Sequence, residues 1–292
     1  MDDLERRLED VRTLHGPWTA HNIALPNGVC TIGPTASNMD ICRGDYFVAI
    51  SQLIFRGTLN GLRVLDLGCL EGGLAIQFAR AGAAVDGVDI RGDSIAKARA
   101  AAQILELSTA RFFVCDALAL PLAELYASYD IVLCAGLLYH LDAKDQLPFL
   151  CSIADLCRGI TIIDTHFSHE AVDTHTTGEG LMLHGRYIEE GGRSLAQRSN
   201  AMWASWVNDR SFWLTEPSLC NVMYAAGFGL LTKAAHPVFP WPWQDRATWI
   251  AFRGFQGMDR FGIFEPCHLA ETDVRPSTHP TIAAGRNVHV RV

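Results

Sequence analysis

The sequence predicts an α/β fold in which an open, doubly wound sheet of seven strands carries helices on both faces. Three observations predict it. Short apolar runs suited to buried strands recur along the chain, stretches with helical spacing separate them, and several runs end on Gly, Asp or His, the residue types that meet ligands at strand ends.

The elements follow in order. Met1 to Glu9 reads as a charged helix, after which GPWTAHNIALPNGVCTIGP is rich in turn formers and reads as a segment wrapping the core. Together, 1–44 is expected to be an N-terminal cover segment. Asp45 to Phe55 reads as a helix leading into the sheet. Arg63 to Leu67 is a short apolar strand ending at Gly68, and Leu74 to Arg80 follows with helical spacing, so a strand runs directly into a helix. Gly68, Gly72 and Gly73 remove side chains where the chain must turn and where a ligand would meet bare backbone. Free amides at the helix start favour electron-rich ligand atoms. Asp89 closes the next apolar run about twenty residues on, the distance usual for an acid accepting ribose hydroxyl hydrogens.

This turn is selective in its chemistry. A dinucleotide loop of the form G-x-G-x-x-G needs a second glycine for the pyrophosphate to approach, and that position is Leu70. Asp66 and Glu71 flank the turn and would repel phosphate, whereas a ligand carrying a sulfonium and an amino group is attracted to carboxylates. The stretch VLDLGCLEGG thus resembles the D-x-G-x-G-x-G motif of class I S-adenosylmethionine (SAM) methyltransferases, with Asp66, Gly68 and Gly72 matching and Leu70 departing. That resemblance implies a Rossmann-like domain over 45–255.

Further matches fall in the order the resemblance requires. ARFFVCDAL puts Asp116 where such enzymes hold the adenine amino group. YDIVLCAGLLYHL gives a strand from Asp130 to Cys134 that opens at Gly136 and leads to Tyr139 and His140, the loop that faces the methionine part of the cofactor and the substrate in this family. GITIIDTHF is a fifth strand ending at Asp164 and His166. The resemblance implies cofactor contacts from Asp66, Gly68, Glu71, Gly72, Asp89, Ile90, Asp116, Ala117, Ala135 and Gly136. Phe167 to Asp209 has poor periodicity and concentrates His, acids, Thr and Gly, so 167–209 is expected to be a lid insertion. Thr215 as N-cap, Pro217 in the first turn and Gly227 after the last bracket a helix. GLLTKAAHPVF and ATWIAFRG supply the closing strands, with the aromatic turn WPWQDR between them, and 256–292 reads as an extension. The SFW-LT and GLLYHL phrases are weakly similar to relatives of the wobble-uridine carboxymethyl transferases.

Composition narrows the partners. The net charge is −8 and lysine occurs only at Lys97, Lys144 and Lys233, a balance that disfavours nucleic acid as substrate. No apolar run reaches the roughly 18 residues of a membrane span. Nine cysteines lie without a C-x-x-C pair, which suits a reducing compartment, so the cytoplasm is expected. A homo-oligomer stays open.

The expected activity is transfer of a methyl group from SAM to a small molecule at oxygen, in specialised metabolism, leaving S-adenosylhomocysteine (SAH). In-line displacement asks the protein mainly to position the acceptor and exclude water. An alcohol or phenol also needs a base near neutral pKa, and His140 and His166 stand at the right strand ends. Trp18, His21, Tyr139, Arg186, Tyr187, Trp206 and Trp213 are the candidate acceptor residues. Asp164, His166, His169, Asp173 and His175 could instead be oxygen and imidazole ligands of a divalent ion, but none of their spacings is diagnostic and no metal is expected. An RNA-modifying enzyme and a catalytically silent SAM-binding module are the alternative functions.

Overall fold

A computed structural model describes residues 3–34, 36, 39–120, 128–189, 194, 197, 205–206, 208–234 and 245–254. In chain order the elements are α1 (Asp3–His15), α2 (Met39–Ile54), β1 (Arg63–Leu67), α3 (Gly73–Arg80), β2 (Ala84–Asp89), α4 (Gly92–Ile104), β3 (Ala110–Val114), β4 (Tyr129–Ala135), α5 (Ala143–Leu156), β5 (Cys157–His166), β6 (Asp173–Thr176), β7 (Met182–Glu189), β8 (Arg210–Leu214), α6 (Glu216–Ala225), β9 (Phe228–Ala234) and β10 (Arg246–Arg253). Seven strands form one sheet in the order β3-β2-β1-β4-β5-β10-β9, and β6-β7-β8 form a second. In the first sheet β1, β2, β3 and β4 pair in parallel, while β10 runs antiparallel to β5 and β9. The α/β expectation with seven strands therefore matches the architecture.

The chain divides into two compact units. The first holds α1 to α4, β1 to β3 and β4 as far as Leu133. β1 and β2 are buried on both faces after their first residues, as inner strands of a parallel sheet are, whereas the edge strand β3 buries only Phe112. α3 buries Leu74, Ala75, Ile76, Phe78 and Ala79 against them. α1 packs on α4 and is tied to it by His15 Nδ1 and Asp93 Oδ1 at 2.9 Å.

The second unit holds the rest of β4, then α5, β5 to β10 and α6. Thr215 caps α6 by accepting from the Ser218 amide, and Pro217 lies in the first turn, where a missing N–H is harmless. The 167–209 stretch contains more regular structure than its periodicity announced: β6 and β7 lie inside it and pair antiparallel. β7 pairs in turn with β8, just beyond it. α1 runs six residues past the expected Glu9, and α2 starts at Met39, before the expected Asp45. Residues 190–193, 195–196, 198–204 and 207 of the expected lid, 235–239 of the expected closing strand, the aromatic turn at 241–244 and the extension at 256–292 lie outside the described residues. Among the described residues no helix is long and apolar enough to cross a membrane.

Candidate active site

The loop between β1 and α3 is built on left-handed backbone. Gly68, Leu70 and Gly72 have φ of 68°, 46° and 80°. A Cβ on Gly72 would stand 2.9 Å from both the Ala98 methyl and the Phe112 ring, so glycine is required there by space as well as by φ. Leu70, the departure from the glycine pattern, takes the left-handed conformation that a glycine would take at no cost, and the loop keeps its path. Asp89 holds it: Oδ2 accepts from the Leu70 amide at 3.0 Å and Oδ1 from the Arg91 amide at 2.7 Å. Each oxygen of an ionised carboxylate has a second acceptor site, so both remain able to take a ligand hydroxyl.

Asp66 is 2% exposed, and its Oδ2 has no hydrogen-bond partner among the described residues. Burial, aided by the Asp89 charge, lifts its carboxyl to about 7; the Ala75 amide and the Arg43 guanidinium oppose the rise. Arg43, buried in α2, is a cation acting on this carboxyl, and no local signal marks it because nothing in MDICRGDYF distinguishes the helix face that turns inward. Asp116 starts a short 3-10 turn over Ala117–Ala119, and its Oδ1 accepts from the Leu118 amide at 2.9 Å. Ile90 and Ala117 are half-buried beside these acids in sequence.

Glu71 takes a different part from the one expected of it. It is fully buried, and its oxygens accept from the amides of Thr19, Ala20 and His21 at 2.9 to 3.2 Å. Lys97 Nζ lies 2.8 Å from Oε1 and also donates to the Pro17 carbonyl at 2.9 Å. Its charge is therefore neutralised within the protein, and it fastens the N-terminal strap to the loop. Trp18 and His21, expected on the acceptor side, belong to the same fastening. Trp18 is 2% exposed, and His21 Nδ1 accepts from the Gly73 amide at 3.1 Å.

In the second unit a separate cluster forms where β10 lies along β5. The antiparallel register sets Arg246 opposite His166 and Thr248 opposite Asp164. Asp164, 1% exposed, accepts from Arg246 Nε at 2.6 Å and Thr248 Oγ1 at 2.7 Å, and Arg246 Nη2 also pairs with it. His166 Nδ1 lies 3.1 Å from Asp245 Oδ1, and its Nε2 lies 3.4 Å from Arg246 Nη1. Burial and then the Arg246 charge push the ring below its ordinary pKa, which Asp245 and Asp164 only partly offset. Trp213 stacks on His166 at 4.8 Å, and Tyr139 meets it edge-on at 4.8 Å. The His140 ring lies 4.2 Å from Tyr139, and its carbonyl accepts from Ser205, Asn208 and Ser211. The Gly136 amide donates to the Asp164 carbonyl at 2.8 Å, next to half-buried Ala135.

Of the expected acceptor residues, Tyr139 and Trp213 thus meet His140 and His166. Arg186 is exposed and sits opposite Trp213 in the β7–β8 register. Tyr187 is drawn elsewhere: its hydroxyl faces Asp142 at 3.4 Å and Arg210 covers its ring at 4.2 Å. Trp206 is half-buried. The five residues weighed as metal ligands do not converge; among the described residues no three His, Cys, Asp or Glu side chains form a metal-binding group. No local pattern marks Asp245 and Arg246, because only the strand register brings QDRA beside DTH.

A family model described as a methyltransferase domain matches residues 64–159, the span from β1 through the glycine loop to the start of β5. Residues 64–159 thus carry a methyltransferase domain. Magnesium-protoporphyrin O-methyltransferase of Synechocystis sp. is 36% identical over 110 residues, 36% of this chain and 46% of that protein. Ubiquinone biosynthesis O-methyltransferase of Vibrio parahaemolyticus is 35% identical over 100 residues, 34% of this chain and 41% of the relative. The matches thus span less than half the length of either relative. The N-terminal domain of EvdMO1, crystallised in the presence of SAH and D-fucose, has the same fold, with a TM-score of 0.65 at 20% identity over 87% of this chain and 97% of its own. The methyltransferase domain proper holds the glycine loop, Asp89, Asp116, Gly136 and His140, whereas His166, Trp213, Asp245 and Arg246 lie beyond residue 159.

Proposed function

We propose that this chain is a SAM-dependent methyltransferase that methylates a small molecule at oxygen, with a histidine as base, in specialised metabolism of the cytoplasm. One observation carries the choice of donor: the buried, unpartnered Asp66 oxygen beside the glycine loop is a site for a cationic ligand group and repels a phosphate. The first unit fits the donor in its other parts too. Asp66 would take the donor's ammonium and Arg43 its carboxylate, Asp89 the ribose hydroxyls, and Asp116 the adenine amino group, with Gly68, Gly72, Ile90 and Ala117 presenting close backbone. When bound, SAM supplies a methyl group made electrophilic by its sulfonium.

The protein's own part is to hold the acceptor and to receive its proton. His166 is favoured over His140 for this, because its ring is fixed from both nitrogens and is kept neutral in a more acidic range than a free imidazole. Tyr139 and Trp213 give the acceptor flat apolar walls. The relatives named as O-methyltransferases support oxygen as the atom methylated. The acidic balance of the chain, −8, weighs against an RNA acceptor.

Calorimetry with SAH tests the donor. The wild-type chain is expected to bind it, and Asp89→Ala to weaken binding by about 1 to 3 kcal/mol through loss of the ribose acceptor. Uptake of NAD or a nucleoside triphosphate in place of SAH would overturn the assignment.

A further inference from the structure

Resting on the reading of His166 as base, we propose that Asp245 and Arg246 are its positioning residues: together they hold the ring neutral, with the proton on Nδ1 and the lone pair on Nε2, to receive the proton of an acceptor hydroxyl. Two neighbours of opposite charge dictate the same tautomer. An ionised carboxylate only accepts, so the nitrogen facing Asp245 at 3.1 Å carries hydrogen. A guanidinium only donates, so the nitrogen 3.4 Å from Arg246 Nη1 is bare. Protonating Nε2 would turn an N–H toward a cation's N–H, which Arg246 opposes. The lowered pKa of the ring has the same direction.

Arg246 can do this without blocking the base. It is anchored through Nε and Nη2 to Asp164, itself held by Thr248, while the contact of Nη1 to His166 Nε2, 3.4 Å, is long for a hydrogen bond. So weak a contact can be exchanged for one to an incoming hydroxyl while the bonds to Asp164 keep the guanidinium in place. As the hydroxyl proton passes to Nε2 its bonding pair remains on oxygen, and the negative charge that develops there lies beside Nη1. The imidazolium so formed is steadied by Asp245 and Asp164. Among the described residues the charged groups facing the ring are Asp164 from β5, Asp245 just before β10 and Arg246 at its start; Trp213 stacks on the ring and Tyr139 meets it edge-on. The arrangement suits a hydroxyl and disfavours a protonated amine, which would meet the Arg246 charge.

Imidazole nitrogen NMR of the full chain reads the tautomer without cofactor or acceptor, with the His166 signals identified by their absence in His166→Gln. At neutral pH His166 is expected as the Nδ1–H form. Asp245→Asn and Asp245→Ala should move it toward the Nε2–H form usual for free histidine, with Asp245→Glu restoring it, and Arg246→Gln should shift its titration midpoint upward. An Nε2–H or doubly protonated ring in the wild type, an unchanged tautomer in the folded Asp245 variants, or a midpoint that stays or falls in Arg246→Gln would overturn the proposal. SAH calorimetry on the same samples separates the two ideas: absent SAH binding sinks the methyltransferase reading while the spectra still decide the role of Asp245.

Discussion

Replacing Asp66 by Asn tests the electrostatics of the donor site through folding alone. The carboxyl is raised from 3.8 to about 7, chiefly by burial. That is about three pH units at about 1.4 kcal/mol each, on the order of 4 kcal/mol. The folded chain binds this proton more tightly than the unfolded one, so the group's stabilisation is full below the unfolded value and is lost as pH rises through about 7. Asn cannot ionise. Whatever its amide costs in this buried place is the same at every pH, so the slope isolates the carboxylate. Urea unfolding of both proteins from pH 4 to pH 8 should show Asp66→Asn gaining on the wild type by a few kcal/mol, nearly all of it between about pH 4 and 7. A difference that stays flat across that range would refute the reasoning.

Two further changes probe the loop. Leu70→Gly relieves a left-handed leucine, worth about 1 to 2 kcal/mol, against the extra unfolded-state entropy of glycine at about 0.5 to 1 kcal/mol, so the protein should keep or slightly gain stability and retain its SAH affinity. A loss of more than about 1 kcal/mol in thermal unfolding would contradict this. Glu71→Gln strands the Lys97 charge in a site where its side chain is only 6% exposed, and should cost about 3 to 5 kcal/mol in urea unfolding. Adding Lys97→Met should recover much of that loss; a single variant within about 1 kcal/mol of wild type would show that the pair is not isolated from water.

The parallel half of the fold was legible because burial on both faces leaves an unmistakable imprint. β1 begins and ends on the residues its apolar run marks, Arg63 and Leu67, and α3 starts one residue before Leu74. β6 and β7 were not legible. DTHT and MLHGRYIE alternate between half-buried, buried and exposed positions with polar residues throughout, because these strands form a short antiparallel ribbon with a wet face. The site divided in the same way. Asp66, Asp89 and Asp116 are marked in the sequence by their places near strand ends, whereas the amides that Glu71 accepts from lie some fifty residues earlier in the chain, where no local pattern points to them. Asp245 and Arg246 depend on a pairing between strands about eighty residues apart, which no local pattern encodes.

The fastening of Pro17, Thr19, Ala20 and His21 to Glu71 and Lys97 has a bearing on how the protein can be cut. A fragment trimmed to the recognisable stretch from residue 64 onward would lack three amide donors and one carbonyl that this buried ion pair relies on, and the imidazole that receives the Gly73 amide. Its glycine loop would be left with a salt bridge open to water on one side. The smallest autonomous piece therefore has to reach back at least to Pro17, well upstream of where the family's signature begins.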